Sequence, residues 1–481
     1  MRLRLSSGVR SIAGNTAALV MARAIAILAR LAYVIIIGRV LGPEIYGLVA
    51  YGQSWYVFFY TLSLLGLGAR LATGIGESRE SAPQAIAETA TLRVAAGVVC
   101  LLLANGVAAA VEPDADVRLI LFWFSLAMVG RIAATHWAQI YTAFERSTLT
   151  LRQETIFAPL EAALGIALVL SGQGIVALAL LHTAVWMAQA VYGYTIARRL
   201  APIRLARPDA HMFATLRRFA PLGLDAVLIA WISQGPIVLA RSLLPGFTAV
   251  GQVGVLIHIS RVLNIAPSAL AQSAVPILRR TIARGEDRDA LYAGMICRVL
   301  PPAAGLVYIV VDLLGPPAIL AAFGPAFEDA ARHAAVIPIL WLPSALAIAI
   351  RPVLISHFRI WSAVVTSAIG AFTLLAGILL LGEPFGIPGL LAAAAVAYGV
   401  WFAAVAWALH RKLGLRVISG PALWLFAGAV GLTMGMDQLV PEHWLWRTVC
   451  AAAVACGVLA ASWFAVLRPE NRHRVDLRRP K

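Results

Sequence analysis

At 481 residues, 61 % hydrophobic and 13 % charged, with a mean hydropathy of +0.84, the chain lies outside the composition of water-soluble domains and excludes one. Its apolar runs are long, rich in Ala and Leu, and unalternated, which excludes a membrane barrel of roughly ten-residue alternating strands. A net charge of +16 would suit a polyanion such as nucleic acid if the cations formed one patch, but they are scattered between the apolar runs.

A bilayer crossing takes about 20 apolar residues as helix, and about 34 residues per span with its connection leave room for about 14 spans. Hydropathy places the first six at 12–37, 46–73, 85–110, 118–143, 153–171 and 174–198. Six more fall at 218–240, 250–278, 290–314, 331–356, 360–382 and 388–409, and two last ones at 419–439 and 445–467. The first span carries Arg23 and Arg30 and lacks a small-residue cleavage site, so it reads as a retained helix and not a signal peptide. With the N-terminus cytoplasmic, one set of loops and both termini collect most of the cations, including Arg79, Arg146, Arg152, Arg198, Arg199, Arg411 and Lys412. The opposite loops hold Glu44, Glu112, Asp114, Glu328 and Asp329. This is the positive-inside pattern, and it accounts for the net charge without nucleic acid. The predicted fold class is an all-α polytopic membrane protein in the inner membrane, with both termini cytoplasmic.

Connections are short. The longest, 199–217, is basic and contains Pro202 and Pro208, and no segment could house the aqueous domain that membrane polymerases and glycosyltransferases use. HExxH, GxSxG, Walker-type GxxxxGK[ST] and CxxC patterns are absent, so a transporter is expected over an enzyme, with no cofactor. Cys100, Cys297, Cys450 and Cys456 fall inside spans as small apolar residues, and neither a disulfide framework nor a metal site is expected.

An internal repeat organises the chain. After the first span it reads Arg39-x-Leu41-Gly42-Pro43, and after the seventh Arg241-x-Leu243-Leu244-Pro245-Gly246. Six helices separate the copies, and an even number gives both the same orientation. Two six-helix lobes related by a pseudo-two-fold axis along the membrane normal are therefore expected, a recurrent transporter plan. The expected divisions are 1–198 for the first lobe, 199–217 for a basic cytoplasmic linker and 218–410 for the second lobe. Two extra helices at 411–467 and a basic tail at 468–481 follow.

Asn15 early in the first span, the run Arg39-x-Leu41-Gly42-Pro43-Glu44-x-Tyr46-Gly47, and the Leu65-Gly66-Leu67-Gly68 close of the second carry a family resemblance. So do Pro221 and Asp225 in the seventh, the Ala274-x-Pro276-x-x-Arg279 close of the eighth, and Phe323-Gly324-Pro325-x-Phe327. The chain resembles the polysaccharide exporters of the multidrug/oligosaccharidyl-lipid/polysaccharide flippase superfamily over roughly residues 10–410. The resemblance implies a flippase of a polyprenyl-diphosphate-linked oligosaccharide, moving it from the cytoplasmic to the periplasmic leaflet for O-antigen, capsule or exopolysaccharide synthesis. Polymerase and glycosyltransferases of that pathway are candidate partners, beside the lipid-linked substrate and membrane lipid. The superfamily also contains peptidoglycan lipid precursor flippases and cation-coupled multidrug exporters, so membership leaves the substrate open.

Ionisable residues deep in a span cost roughly 2.5–3.5 kcal/mol on insertion scales and mark a wet cavity or a partner. Arg23 and Arg30 share one helical face, Arg131 heads a polar stripe with Thr135, Gln139 and Thr142, and Arg261 joins His258, Ser268 and Gln272. The second span adds Gln53, Tyr56, Tyr60 and Ser63. The expected cavity residues are Arg23, Arg30, Arg131, Arg261, Gln53, Tyr60 and Gln139; hydrogen bonding between packed helices is the competing reading. Arg93 is balanced between cavity lining and snorkelling, and Arg70 reads as snorkelling. Asp225 and Glu161 are the deep acids, and with His136 and His258 they are the candidates for gating or ion coupling. Asp225 follows Arg23 at the offset of the repeat, which suggests a salt bridge between them as a gate. Guanidiniums outnumber carboxylates at depth. That sign suits a diphosphate, which a planar guanidinium fork holds by two oxygens, and opposes a cationic drug.

Overall fold

The structure, a computed structural model, describes residues 7–77, 79–286, 288–439 and 444–462. The described residues form helices and turns with no strand. In chain order the helices are α1 (Ser7–Ser63), α2 (Gly68–Glu77), α3 (Ala82–Val111), α4 (Ala115–Ala143), α5 (Ser147–Leu170), α6 (Ile175–Ala197), α7 (Ala210–Leu243) and α8 (Gly246–Leu263). There follow α9 (Ile265–Ala283), α10 (Arg288–Phe323), a 3₁₀ turn at Pro325–Phe327, α11 (Glu328–Arg332), α12 (Val336–Ile350), α13 (Pro352–Ser356), α14 (Ile360–Leu413), α15 (Gly420–Leu439) and α16 (Trp444–Ser462).

Ten stretches are long and apolar enough to cross a membrane. Two of them are two helices joined at a break, α1 at Gly42 (φ 77°) and α14 at Gly386 (φ 60°). Prolines at 43 and 388 follow, removing the amide that a continuing helix needs. With the two shorter apolar helices Gly420–Met434 and Val449–Ser462, the described residues supply the fourteen spans expected from hydropathy. The basic tail from Arg468 onward lies outside the described residues.

Three spans depart from expectation. The second is interrupted at Leu64–Leu67, where Leu65 (φ 51°) and Gly66 (φ 69°) are left-handed. A Cβ on Gly66 would lie 2.5 Å from the Phe219 carbonyl and 2.8 Å from the Gly223 nitrogen, so this turn exists to meet the backbone of α7. The eighth breaks at Asn264, whose Nδ2 donates to Ser344 Oγ at 2.9 Å, with Pro267 soon after. The fifth starts at Ser147 and not near 153, because the turn after α4 is only three residues long.

Contacts divide the chain into two compact units, residues 1–234 and 235–481. In the first, α4 and α6 are laced together: Trp137 Nε1 donates to the Ala190 carbonyl at 2.9 Å, Tyr141 Oη to Gly193 at 2.7 Å, and Thr183 Oγ1 to Trp123 at 2.8 Å. Gly130 lets the helices approach, since a Cβ there would lie 2.7 Å from the Trp186 backbone. The connection after α6 is pinned to α3 by Thr91, whose Oγ1 donates to the Ala206 carbonyl at 3.1 Å and accepts from its amide at 2.9 Å. In the second unit, Gln252 holds the short-helix segment, donating to the Ala326 carbonyl at 2.8 Å and accepting from the Ala330 amide at 2.9 Å. Rows of exposed apolar side chains, such as Val94, Val98 and Leu102 on α3, suit a hydrocarbon environment.

The repeat is visible in the turns of each unit. Before α5, Arg146 N bonds the Tyr141 carbonyl at 2.8 Å with Glu145 left-handed (φ 59°); before α14, Arg359 N bonds Leu354 at 2.9 Å with Phe358 left-handed (φ 57°). Arg79 lies 5.2 Å from the Phe144 ring and Arg279 5.0 Å from Phe358. The third span of each set of six carries a buried acid near its start: on α3 Glu88 meets Arg70 at 3.1 Å and His211 at 3.0 Å, and on α10 Asp289 meets His357 at 2.8 Å. Arg70, expected to snorkel, is thus held by Glu88.

Candidate substrate cavity in the first unit

A cavity of about 430 Å³ opens among α1, α4, α5 and α6. Its polar walls come from the helix halves beside the α4–α5 turn: Arg131 to Thr142 of α4, Thr150 to Glu154 of α5, and Trp186 to Gln189 of α6.

Arg131 is the best-anchored charge. Its Nη1 donates to Tyr56 Oη at 2.6 Å, and its guanidinium lies 4.4 Å from the Tyr60 ring centroid, 5.1 Å from Trp186 and 5.3 Å from Tyr56. Arg30 lies 5.5 Å from the same Trp186 ring. Each such contact contributes about 0.5–2 kcal/mol, more as water is excluded, so aromatic faces hold two guanidiniums at one site. Tyr60 is fixed in turn by a 2.8 Å hydrogen bond between its hydroxyl and Thr135.

Behind the α4 wall, buried Arg93 of α3 donates to Nδ1 of His136 at 2.9 Å and to Oε1 of Gln139. Arginine has no acceptor, so His136 accepts at Nδ1 and is the neutral Nε2–H tautomer. Gln139 gives its oxygen to Arg93, which leaves its amide hydrogens for the cavity. Gly68 packs on that carboxamide, where a Cβ would lie 2.9 Å from both Nε2 and Oε1. The second glycine of the Leu65-Gly66-Leu67-Gly68 motif therefore seats a cavity residue, and the first seats α7.

On the α5 and α6 side sequence reasoning named Glu161 and missed its neighbours. Glu154 Oε1 accepts from Gln189 Nε2 at 3.2 Å, and Gln153 and Thr150 line the same wall. Deeper in, Glu161 is bonded to Nδ1 of His182, both buried, with the imidazole 5.1 Å from the Tyr56 ring and 5.3 Å from Phe124. Glu161 with His182, and Glu154 with Gln189, are each placed symmetrically about the Ser171–Gly172 turn. That spacing is the register of an antiparallel helical hairpin, and it was the one available signal.

The cavity thus gathers Arg30, Arg131, Tyr60 and Gln139 of the expected set. Gln53 is half-buried on α1 and is not among its lining residues. The side chain of Arg23 lies outside the described residues, so its expected bridge to Asp225, which is buried on α7, has no described geometry. Arg261 and His258 are half-buried near the end of α8, in the second unit. Among the lining residues, two guanidiniums face one carboxylate, that of Glu154.

The lipid II flippase MurJ in an inward closed conformation matches with a TM-score of 0.68 at 10 % identity, covering 94 % of this chain and 99 % of that one. A multidrug resistance MATE family transporter of the MOP superfamily, inward-facing, gives 0.66 at 14 %, covering 83 % and 99 %. A Vibrio cholerae MATE transporter gives 0.60 at 15 %, covering 85 % and 97 %. These likenesses establish the fold. A comparison with curated protein sequences finds no match. The family model described as "Polysaccharide biosynthesis protein" matches residues 12–281, more than half of the sequence, and the chain belongs to that family.

Proposed function

We propose that the protein is a flippase that carries a polyprenyl-diphosphate-linked oligosaccharide from the cytoplasmic to the periplasmic leaflet of the inner membrane by alternating access, with both termini cytoplasmic. The observation that carries this reading is the pair Arg30 and Arg131 around Trp186, facing a single lining carboxylate. A guanidinium stays charged out of water and offers paired donors to a diphosphate, while the prenyl tail remains in lipid. The faces of Tyr60 and Trp186, which a lipophilic cation would need, are already covered by guanidiniums. A potential negative inside favours outward movement of an anion by about 2.3 kcal/mol per charge at 100 mV, so the cycle needs no dedicated ion site. No bond is made or broken.

The test is reconstitution in proteoliposomes with a fluorescent short-prenyl diphosphate sugar, read by quenching of the accessible leaflet. The expected result is protein-dependent loss of the protected pool, absent in Arg131→Ala. Transfer of a lipophilic cation and none of the diphosphate lipid overturns the reading in favour of a drug exporter.

A further inference from the structure

The cavity's two sides differ in chemistry. The α1 and α4 side is guanidinium and aromatic, whereas the α5 and α6 side is hydroxyl, carboxamide and carboxylate: Thr150, Gln153, Glu154 and Gln189. Gln153 is 1 % exposed, yet its Oε1 has no hydrogen-bond partner among the described residues, and neither does Thr150 Oγ1. A buried polar atom left unpaired costs about 1–3 kcal/mol, so such a wall calls for a polar partner against it, which water or the hydroxyls of a ligand can supply. Glu154 takes one donor from Gln189 at 3.2 Å and, as a carboxylate, has further acceptor capacity.

We infer that this wall is a subsite for the sugar next to the diphosphate, and that it selects a neutral pyranose and excludes an acidic one. The inference rests on the flippase reading and specifies its substrate. Gln153 Oε1 and Glu154 are neighbouring acceptors that need donors. Vicinal sugar hydroxyls supply them and accept in return from Thr150 and the Gln189 amide. A second phosphate, or the carboxylate that a uronate carries in place of a hydroxymethyl group, supplies no donor of its own and sets a negative charge beside Glu154 where water is sparse. At about 430 Å³ the cavity lies at the low end for small-ligand sites, enough for the sugar nearest the anchor and not for a repeat unit.

The test uses the full-length purified protein and three lipids: a short-prenyl diphosphate, the same lipid bearing glucose, and the same bearing glucuronate. Affinities are measured in wild type and in Glu154→Gln, with size-exclusion elution and thermal unfolding as checks on folding. Wild type is expected to prefer the glucose lipid over the glucuronate lipid by about tenfold, and Glu154→Gln to narrow that ratio to about threefold or less. Gln153→Leu is expected to lose most of the affinity that glucose adds to the bare diphosphate lipid. Equal affinity for the two sugars in wild type, or a ratio unchanged in Glu154→Gln, overturns the subsite while binding of the bare diphosphate lipid upholds the flippase reading. Failure of all three lipids to bind overturns both.

Discussion

In the first compact unit, the turn before α5 holds Glu145 left-handed and seats Arg79 on Phe144; in the second, the turn before α14 repeats this with Phe358 and Arg279. The interiors differ. In the second unit Gln252 and Asn264 direct their polar atoms onto the segment at Ala326–Ala330 and onto Ser344, closing a break or a loop. In the first, Arg131, Gln139, Gln153 and Glu154 direct theirs to a cavity, backed by Arg93 and by the Glu161–His182 pair. The comparison teaches that the duplicated part is the backbone punctuation at the helix ends. The side chains between those ends are free to diverge, and in the first unit they line a cavity.

Breaking the Glu161–His182 pair is the harshest test of that difference. His182→Leu leaves a buried carboxylate without its partner and is expected to lower stability by about 3–5 kcal/mol, read by thermal unfolding in detergent. The double change Glu161→Gln with His182→Leu should recover much of it. A single variant as stable as wild type would mean that the pair is solvated and not part of the unit's interior.

Gly66→Ala adds a Cβ 2.5 Å from a carbonyl in a left-handed turn, and is expected to cost about 2–3 kcal/mol. A loss under half of that would show that the turn relaxes away from α7. Arg30→Ala is next, with an expected loss of about tenfold or more in affinity for a prenyl diphosphate, the scale of a charge-assisted hydrogen bond of about 1.5–3 kcal/mol. Membrane insertion, checked by expression, should be unaffected.

The smallest effect sharpens the repeat itself. Glu145→Gly removes a left-handed non-glycine residue and should stabilise by about 1 kcal/mol, whereas Phe358→Gly also removes the ring under Arg279 and should gain less. Equal gains would indicate that the Arg279 contact contributes nothing.

Much of this was legible in the sequence. Fourteen apolar runs give fourteen spans because burying backbone in hydrocarbon demands helix, whatever the side chains. The break at Gly42-Pro43 is local chemistry and could be read; those at Leu65 and Asn264 depend on α7 and on Ser344, partners distant in the chain. The α4 stripe pointed to Arg131 and Gln139 because its polar residues repeat on one helical face. Thr150 was missed because the fifth span was begun at 153, which assigned the first turn of α5 to a loop, and Gln153 and Glu154 were missed because at the very start of a span polar residues read as its solvated end. Arg93 was read as snorkelling or lining and does neither, since it is buried behind the wall and orients Gln139.

The most direct test of the central claim is a binding competition on purified full-length protein between a short-prenyl diphosphate and a lipophilic cation, in wild type and in the Arg30→Ala, Arg131→Ala double variant. The account predicts that the diphosphate wins in wild type and weakens by about 100-fold in the double variant. Preference for the cation, or a double variant that binds the diphosphate as wild type does, would contradict it.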